Sequence, residues 1–284
     1  MLTPEQPKGK IRNVAKEKNL SSQEILQMYL FERVLDRLSK SKYAKNFILK
    51  GGFLIASMIG IDERTTMDID TTVKGLSLDK ETIEPIIKEI LSIDVNDGIE
   101  FEYSKIEPIR EDDDYNNFRV YFNAKYGKIN NPMKMDITTG DVITPAAVEY
   151  KYPTIFGDGE IDVIAYNLET ILAEKYETVI RRNIGTTMAR DFYDLYALYA
   201  IYKDSLNAII LCDAVKRTSR QRESLSELDD RKRIVDEIAE EPFVIELWNA
   251  YRDEYSYAER IRFEEIIRVL NEFGAILDQR EGQE

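Results

Sequence analysis

The residues best suited to chemistry are two aspartates in the segment Met67–Val73, which reads MDIDTTV. The segment alternates apolar and polar residues, as a half-buried strand does, and alternate side chains of a strand share one face. Asp68 and Asp70 are therefore expected side by side, where their charges repel. A divalent cation such as Mg²⁺, which selects oxygen ligands, would offset that repulsion. An exposed acidic strand edge is the alternative interpretation.

A third aspartate stands in a second alternating segment, Met133–Ile137. Its apolar residues occupy one face, which leaves Asp136 on the other. If this strand lies beside Met67–Val73, the carboxylates form a two-metal site of the kind that polarises an α-phosphate and helps to deprotonate an acceptor hydroxyl. Taken singly, Asp136 is better explained as a surface residue of a strand, and Asp141 is a nearby rival for the third position.

A diglycine, Gly51-Gly52, joins the apolar run Phe47–Leu49 to a predicted helix. Glycines let the backbone approach a phosphate, and a helix N-terminus offers free N–H groups. A plain tight turn is the alternative. Arg64 and Thr66, which follow, are further candidates for phosphate contacts. The alternatives are that Arg64 pairs with a local carboxylate and that Thr66 serves only as a strand former.

A lysine is predicted on the buried face of a later helix, where Lys175 follows the spacing of Leu168, Ile171, Leu172, Tyr176 and Val179. A lysine is rarely buried without a partner. The candidate partners are Asp191, Asp194 and a triphosphate. Asp191 and Asp194 share one face of the next helix, so either one also qualifies as a purely structural partner of Lys175.

The composition excludes several kinds of chemistry. The chain has 284 residues, a single cysteine (Cys212) and no histidine. Ser-His-Asp and Cys-His mechanisms, histidine-ligated zinc and an internal disulfide are therefore excluded. No apolar run approaches the roughly 20 residues that span a bilayer, and the first residues lack the apolar stretch of a secretion signal. We expect a cytoplasmic protein that makes no membrane contact.

The formal charge of −14 argues against broad, non-specific nucleic-acid binding, which depends on neutralising phosphates. It leaves room for local basic surfaces. Four stretches are rich in lysine and arginine, and most such runs are solvated faces: Lys8–Arg12, Lys40–Lys50, Arg181–Arg190 and Lys216–Arg222.

The pattern of elements changes near residue 165. Before that point helical and strand patterns mix, with further helices at Ser21–Ser41 and Glu81–Leu91, further strands at Ile99–Tyr103 and Phe118–Phe122, and an acidic loop at 110–117. After it almost all periodicity is helical, through Tyr202, Leu206–Val215, Glu227–Ala239 and Ser256–Leu277. The sequence predicts a mixed α/β domain at residues 1–165, including N-terminal helices, and an all-helical domain at 166–284.

Together these motifs resemble a known family. Gly-Gly, then Asp-x-Asp and a later strand aspartate, is the pattern of DNA polymerase β-like nucleotidyltransferases. More narrowly, residues 47–73 resemble the first motif of the AbiEii/AbiGii-type toxins, in which Lys50-Gly-Gly leads to Arg64-x-Thr-x-Asp-Ile-Asp70. Residues 172–198 are similar to that family's second motif, at Glu174, Lys175, Arg190, Asp191, Asp194 and Leu195. The last roughly 80 residues carry no motif.

The resemblance implies a fold, an activity and roles for residues. The fold is a polymerase β-like domain with a helical C-terminal domain that supplies Lys175 and the Arg-Asp-x-x-Asp-Leu helix. Asp68, Asp70 and Asp136 would hold two Mg²⁺ ions, Gly51, Gly52, Arg64, Thr66 and Lys175 would contact the NTP, and Lys175, Asp191 and Asp194 would also be required for activity. GTP binding is among the properties implied, although the residues do not select one NTP.

The resemblance also implies a biological setting. The chain would be the toxin of a type IV toxin–antitoxin pair acting in abortive phage infection. It would transfer a nucleotidyl group to RNA, with the 3′ end of tRNA favoured, near Lys40–Lys50 and Arg181–Arg190. An AbiEi-like winged-helix antitoxin would act beside it without a stable complex. The alternatives are a nucleotidyltransferase for a small molecule such as an aminoglycoside, and a non-catalytic NTP-binding module.

Overall fold

The computed structural model describes residues 5–109, 117–157 and 159–281. The chain divides into two compact units. The first consists of Met1–Asp141 with Ala147–Tyr166, and the second of Val142–Ala146 with Asn167–Glu284. The acidic loop predicted at 110–117 lies outside the described residues except for its last position. The mixed α/β fold with a helical C-terminal region is confirmed.

The first unit is built on one mixed sheet. Its strands, in chain order, are β1 Phe47–Lys50, β2 Ile69–Val73, β3 Glu100–Pro108, β4 Phe118–Tyr126, β5 Ile129–Thr138, β6 Val148–Pro153 and β7 Glu160–Ala165. Their order across the sheet is β3-β4-β5-β2-β1-β7-β6. Strand β2 is therefore the central strand of the seven. It runs antiparallel to β1 and parallel to β5.

One face of this sheet is apolar. Along β5 the side chains of Met133, Met135 and Ile137 are buried, and the residues between them are partly exposed. Along β4 the same alternation buries Phe118, Val120 and Phe122. The period of two predicted from the sequence is therefore the pleat of the observed strands.

Helices complete the first unit: α1 Glu5–Glu17, α2 Ser22–Ser39, α3 Gly51–Ile59 and α4 Lys80–Ser92. The start of α2 is fixed by a capping box, in which the Ser21 hydroxyl accepts from the Glu24 N–H and the Glu24 carboxylate accepts from the Ser21 N–H. The side chain of Asp79 caps α4 in a similar way by accepting from the Thr82 N–H.

The second unit is helical. Its helices are α5 Leu168–Arg182, α6 Ala189–Tyr202, α7 Ala208–Gln221, α8 Leu225–Asp229, α9 Arg231–Glu240, α10 Pro242–Glu254 and α11 Phe263–Glu281. The helix predicted at Glu227–Ala239 is interrupted at Asp230, and the last helix begins at Phe263 rather than near Ser256. Trp248, Tyr176, Phe192 and Phe273 are buried at the centre of this unit.

No helix among the described residues combines the length and the apolar character that crossing a bilayer requires.

Candidate functional site

Two of the predicted carboxylates meet through the sheet. In the parallel pairing of β2 with β5, Asp70 and Asp136 are register partners. Partners in adjacent strands point to the same face, and here it is the face opposite buried Ile69, Met135 and Ile137. The sequence predicted a shared site only if the strands that carry Asp70 and Asp136 are neighbours. The structure shows that they are.

Asp68 lies just before β2, because the strand begins at Ile69 rather than at Met67. The Thr66 hydroxyl lies 3.3 Å from the Asp68 N–H and accepts from it. Local hydrogen bonds of this kind compete with a strand ladder. The carboxylate of Asp68 is 2.7 Å from Lys134 Nζ, on the same polar face of β5 as Asp136.

The first glycine of the diglycine lies against Asp70. Gly51 has a φ of +68°, a region that side chains with a Cβ rarely adopt. A Cβ at this position would stand 2.7 Å from the Asp70 Cγ and 2.8 Å from its Cβ. Two features therefore require glycine at position 51: the positive φ of the backbone and the Asp70 carboxylate beside it.

The second glycine meets two other predicted residues. A Cβ on Gly52 would stand 2.8 Å from Arg64 Nη2 and 3.2 Å from the Thr66 hydroxyl. The Arg64 side chain is buried and donates to the Thr65 carbonyl. Gly51, Gly52, Arg64, Thr66 and Asp70 therefore form one group at the start of α3. The side chain of Lys50, the N-cap residue, makes no capping hydrogen bond to this helix.

Asp136 is held by an arginine that sequence reasoning did not single out. Arg119, its register partner on β4, donates from Nε and Nη2 to the two carboxylate oxygens at 2.7 Å each. The hydrogen bonds to Asp136 raise the pKa of the Arg119 guanidinium above its ordinary value. Alternation within β4 places Arg119 on the polar face, but only the register reveals its partner.

The rival carboxylate, Asp141, lies beyond the end of β5. Lys50 Nζ and the Thr138 hydroxyl both stand 2.6 Å from its Oδ2. Burial raises the pKa of Asp141, but the charge of Lys50 and hydrogen bonds from Lys50, Thr138 and Thr72 outweigh it, so this pKa lies below its ordinary value. Asp141 therefore forms an ion pair with Lys50, and Asp136 is the register partner of Asp70, so which of the two completes the site stays a prediction.

The donor set suits a hard cation. Asp68, Asp70 and Asp136 supply only carboxylate oxygens, the ligands that Mg²⁺ selects. Within the described part of the chain, no three acidic or cysteine side chains gather closely enough to form a metal-binding group. Asp68 and Asp136 each contact a cationic side chain as well, Lys134 and Arg119 respectively.

In the second unit Lys175 bridges two aspartates. Its Nζ stands 2.6 Å from Asp191 Oδ1 and 2.9 Å from Asp194 Oδ2, and the Asp194 side chain is fully buried. Burial lowers the pKa of Lys175, but the charges of Asp194 and Asp191 outweigh it and raise this pKa above its ordinary value. Lys175 therefore contacts both of the aspartates named as its candidate partners, and the contact with a triphosphate that the family resemblance favours stays a prediction.

A second acidic centre on α5 was missed. Glu177 is buried, and its carboxylate accepts from Arg181, Arg222 and the Ser224 hydroxyl at 2.6–2.8 Å. Glu174 of the family motif lies 3.2 Å from Arg222 as well. A glutamate within a helical run carries little sequence signal for such a role, because two of its three partners, Arg222 and Ser224, lie 45 and 47 positions away.

The basic stretches predicted to touch RNA make many internal ion pairs. In Lys40–Lys50, Lys40 pairs with Asp36, Lys42 with Glu89 and Lys50 with Asp141. In Arg181–Arg190, Arg181 pairs with Glu177 and Arg182 lies 3.9 Å from Asp191. Arg190 is half-buried in the first turn of α6. An RNA contact through these stretches stays a prediction.

A glycine-led helix beside aspartates of neighbouring strands defines the nucleotidyltransferase class of fold, and solved structures agree with it. MenT4, a nucleotidyltransferase toxin from Mycobacterium tuberculosis H37Rv, has a TM-score of 0.55 at 15% identity, over 94% of this chain and 89% of its own. JHP933 from Helicobacter pylori has a TM-score of 0.51 at 17% identity, over 93% and 97% of the two chains. No curated protein matches the sequence.

Residues 33–269 match the family described as nucleotidyl transferase AbiEii toxin, type IV toxin–antitoxin system. The chain belongs to this family, as the resemblance of its motifs predicted. It is accordingly a nucleotidyltransferase toxin of a toxin–antitoxin system, with an NTP as substrate and an antitoxin as partner.

Proposed function

We propose that this toxin transfers a nucleotidyl group from an NTP to the 3′ end of RNA, with tRNA the favoured acceptor, in a reaction that depends on two Mg²⁺ ions. The observation that carries the proposal is the register of Asp70 with Asp136 directly beside the Gly51-Gly52 start of α3. It places carboxylates next to backbone N–H groups suited to a triphosphate.

The proposed roles follow from this arrangement. Gly51, Gly52, Arg64 and Thr66 hold the phosphates, and Lys175 contacts the triphosphate as the family resemblance implies. Asp191 and Asp194 hold Lys175. Asp68, Asp70 and Asp136 are the ligands for magnesium, which when bound would polarise the α-phosphate and lower the pKa of the acceptor hydroxyl.

The transfer exchanges one phosphorus–oxygen bond for another. The acceptor hydroxyl oxygen bonds to the α-phosphorus, the bond from that phosphorus to the bridging oxygen breaks, and pyrophosphate leaves. Asp136 takes the hydroxyl proton once it is released from Arg119. Arg64 neutralises charge on the phosphates, because its guanidinium already lies against Gly52.

In the cell, we propose a role in abortive phage infection. An AbiEi-like winged-helix antitoxin would counteract the toxin without a stable complex. Both proposals rest on the family to which the chain belongs.

The test is transfer of label from each NTP, in turn, to total RNA with Mg²⁺ present. Asp70→Asn and Asp68→Asn should lower labelling by more than about 100-fold, since loss of even an outer partner of a metal ligand costs about 10- to 100-fold. Asp162→Asn is the matched control, because Asp162 belongs to the same sheet and its side chain is 87% exposed.

Three outcomes would count against the proposal. Equal labelling by the wild type and both variants would mean that the wrong carboxylates were chosen. Label on an aminoglycoside but not on RNA would favour a small-molecule acceptor, which the net charge of −14 would attract if it is cationic. Growth arrest that persists with Asp68→Ala would favour a non-catalytic module.

A further inference from the structure

The polar face of the sheet continues past the candidate site onto β4 and β3. Next to the row formed by Asp70, Asp136 and Arg119 lies a second row, in which Lys105, Tyr121 and Lys134 are register partners. The two rows are two residues apart along the strands, which is about 7 Å. This spacing suits one nucleotide of an extended single strand.

The second row has the composition of a nucleic-acid contact. The Lys105 ammonium lies 4.7 Å from the centre of the Tyr121 ring, and the Lys105 side chain is 53% exposed. Tyr121 itself is half-buried, so part of its surface is accessible. Aromatic rings flanked by cations are the usual platform for unpaired bases, because every base can stack and every phosphate is anionic.

The Lys105–Tyr121–Lys134 row lies directly beside the candidate carboxylates. Lys134 of this row contacts Asp68 at 2.7 Å, and Arg119 of the first row contacts Asp136. Lys105 pairs with Glu107 at 2.6 Å. Each of these cations thus has an acidic neighbour, and Lys134 and Arg119 lie beside the candidate carboxylates.

The two sides of Asp70 and Asp136 differ in character. On the β1 side lie Gly51 and Gly52, with Arg64 packed against them. On the β4 side lie Arg119 and, beyond it, Tyr121. An in-line displacement needs the attacking and leaving oxygens on opposite sides of the phosphorus. If the triphosphate occupies the glycine side, the acceptor must arrive from the β4 side.

We infer that the Lys105–Tyr121–Lys134 row is the platform for the unpaired 3′ end of the RNA acceptor. One base stacks on Tyr121, and Lys105 and Lys134 contact the phosphates beside it. The inference rests on the proposed function and adds where the acceptor binds. It differs from the sequence-based expectation, which placed RNA near Lys40–Lys50 and Arg181–Arg190.

The test measures RNA binding directly, without catalysis. The probe is a short fluorescein-labelled single-stranded RNA with a free 3′-hydroxyl, and the readout is the dissociation constant from fluorescence anisotropy. Tyr121→Ala should weaken binding by about tenfold, and Tyr121→Phe should change it by less than about twofold, since stacking needs the ring and not the hydroxyl.

Tyr103 on β3 offers a matched control. It is also half-buried with a lysine ammonium, that of Lys88, over its ring at 4.6 Å, but Lys88 belongs to α4 and not to the Lys105–Tyr121–Lys134 row. Tyr103→Ala should leave RNA affinity unchanged. Equal affinity of the wild type and Tyr121→Ala, or equal losses for Tyr121→Ala and Tyr103→Ala, would overturn the inference.

Failure of this inference is distinguishable from failure of the proposed function. If Tyr121→Ala binds RNA normally while Asp70→Asn abolishes labelling, the platform is wrong and the transferase proposal stands. If the wild type neither binds the RNA probe nor labels RNA, both are wrong. In the labelling assay, Tyr121→Ala should raise the KM for RNA about tenfold and leave the KM for NTP unchanged.

Discussion

At the scale of single residues, the close approach of Gly51 to Asp70 links backbone conformation to the candidate chemistry. A side chain at Gly51 would face two obstacles, a φ of +68° and the Asp70 carboxylate. The first obstacle also occurs at Gly75 and Gly157, where an added Cβ would have no atom closer than 3.6 Å.

Gly51→Ala should therefore cost more than the about 1–2 kcal/mol of a left-handed backbone alone, and it should also displace Asp70. We expect a larger fall in the free energy of unfolding, measured with urea, and loss of NTP binding measured by calorimetry. Gly157→Ala is the matched control, since Gly157 has a φ of +67° and nothing within 4 Å of the added Cβ. Equal costs at both positions would contradict the steric argument.

Asp141 makes stability depend on pH. Its pKa lies below the ordinary value of 3.8, so its contribution is present above that value and is lost as pH falls through the lowered pKa. Below about pH 4, the free energy of unfolding should fall more steeply for the wild type than for Asp141→Asn. Urea unfolding from neutral to acidic pH measures this, and Asp162→Asn should match the wild type.

At the scale of elements, α5 and α6 are joined by the contacts of Lys175 with Asp191 and Asp194. Removing Lys175 alone leaves Asp194 buried without its ammonium partner, which costs about 3–5 kcal/mol. Loss of activity in Lys175→Ala would therefore mix a lost phosphate contact with a damaged unit. A variant that neutralises all three groups separates the two effects.

Lys175→Met should lower the melting temperature, and the triple variant Lys175→Met, Asp191→Asn, Asp194→Asn should restore most of it, because none of these three positions then carries a charge without its partner. If the three residues have the roles proposed for them, the stable triple variant should still fail to label RNA. Normal labelling by that variant would show that Lys175 serves structure alone.

The strands that carry Asp70 and Asp136 were predictable because apolar and polar residues alternate along them. The start of β2 was not, since it depends on the local bond between Thr66 and Asp68. Strands β6 and β7 also escaped prediction. In β6 only Tyr152 is buried, so its sequence carries almost no alternation that burial would impose.

At the scale of the whole molecule, the sequence predicted the two kinds of architecture and not the topology. The order and register of the strands across the sheet decide that Asp136 lies beside Asp70. They also decide that Arg119, Tyr121 and Lys134 come together. Periodicity reports which face a side chain occupies, but it contains no information on which strands are neighbours.

Net charge is limited in a related way. A total of −14 argues against broad, non-specific RNA binding, but it does not say where a local basic surface lies. In the structure several cations of the clustered stretches pair with carboxylates, and the row proposed for RNA is assembled from three strands. Local charge depends on register, which composition does not record.

The five residues Val142–Ala146 belong to the second unit although the chain on both sides belongs to the first. Thr144 accepts from Asn167 Nδ2 at 2.6 Å and donates its N–H to the Thr170 hydroxyl, and Val142 donates to Gln221. The backbone therefore passes between the units three times. A fragment of the chain that ends after Tyr166 would contain Val142–Ala146 without their hydrogen-bonding partners. Dividing the chain at Tyr166 therefore cannot yield two intact units.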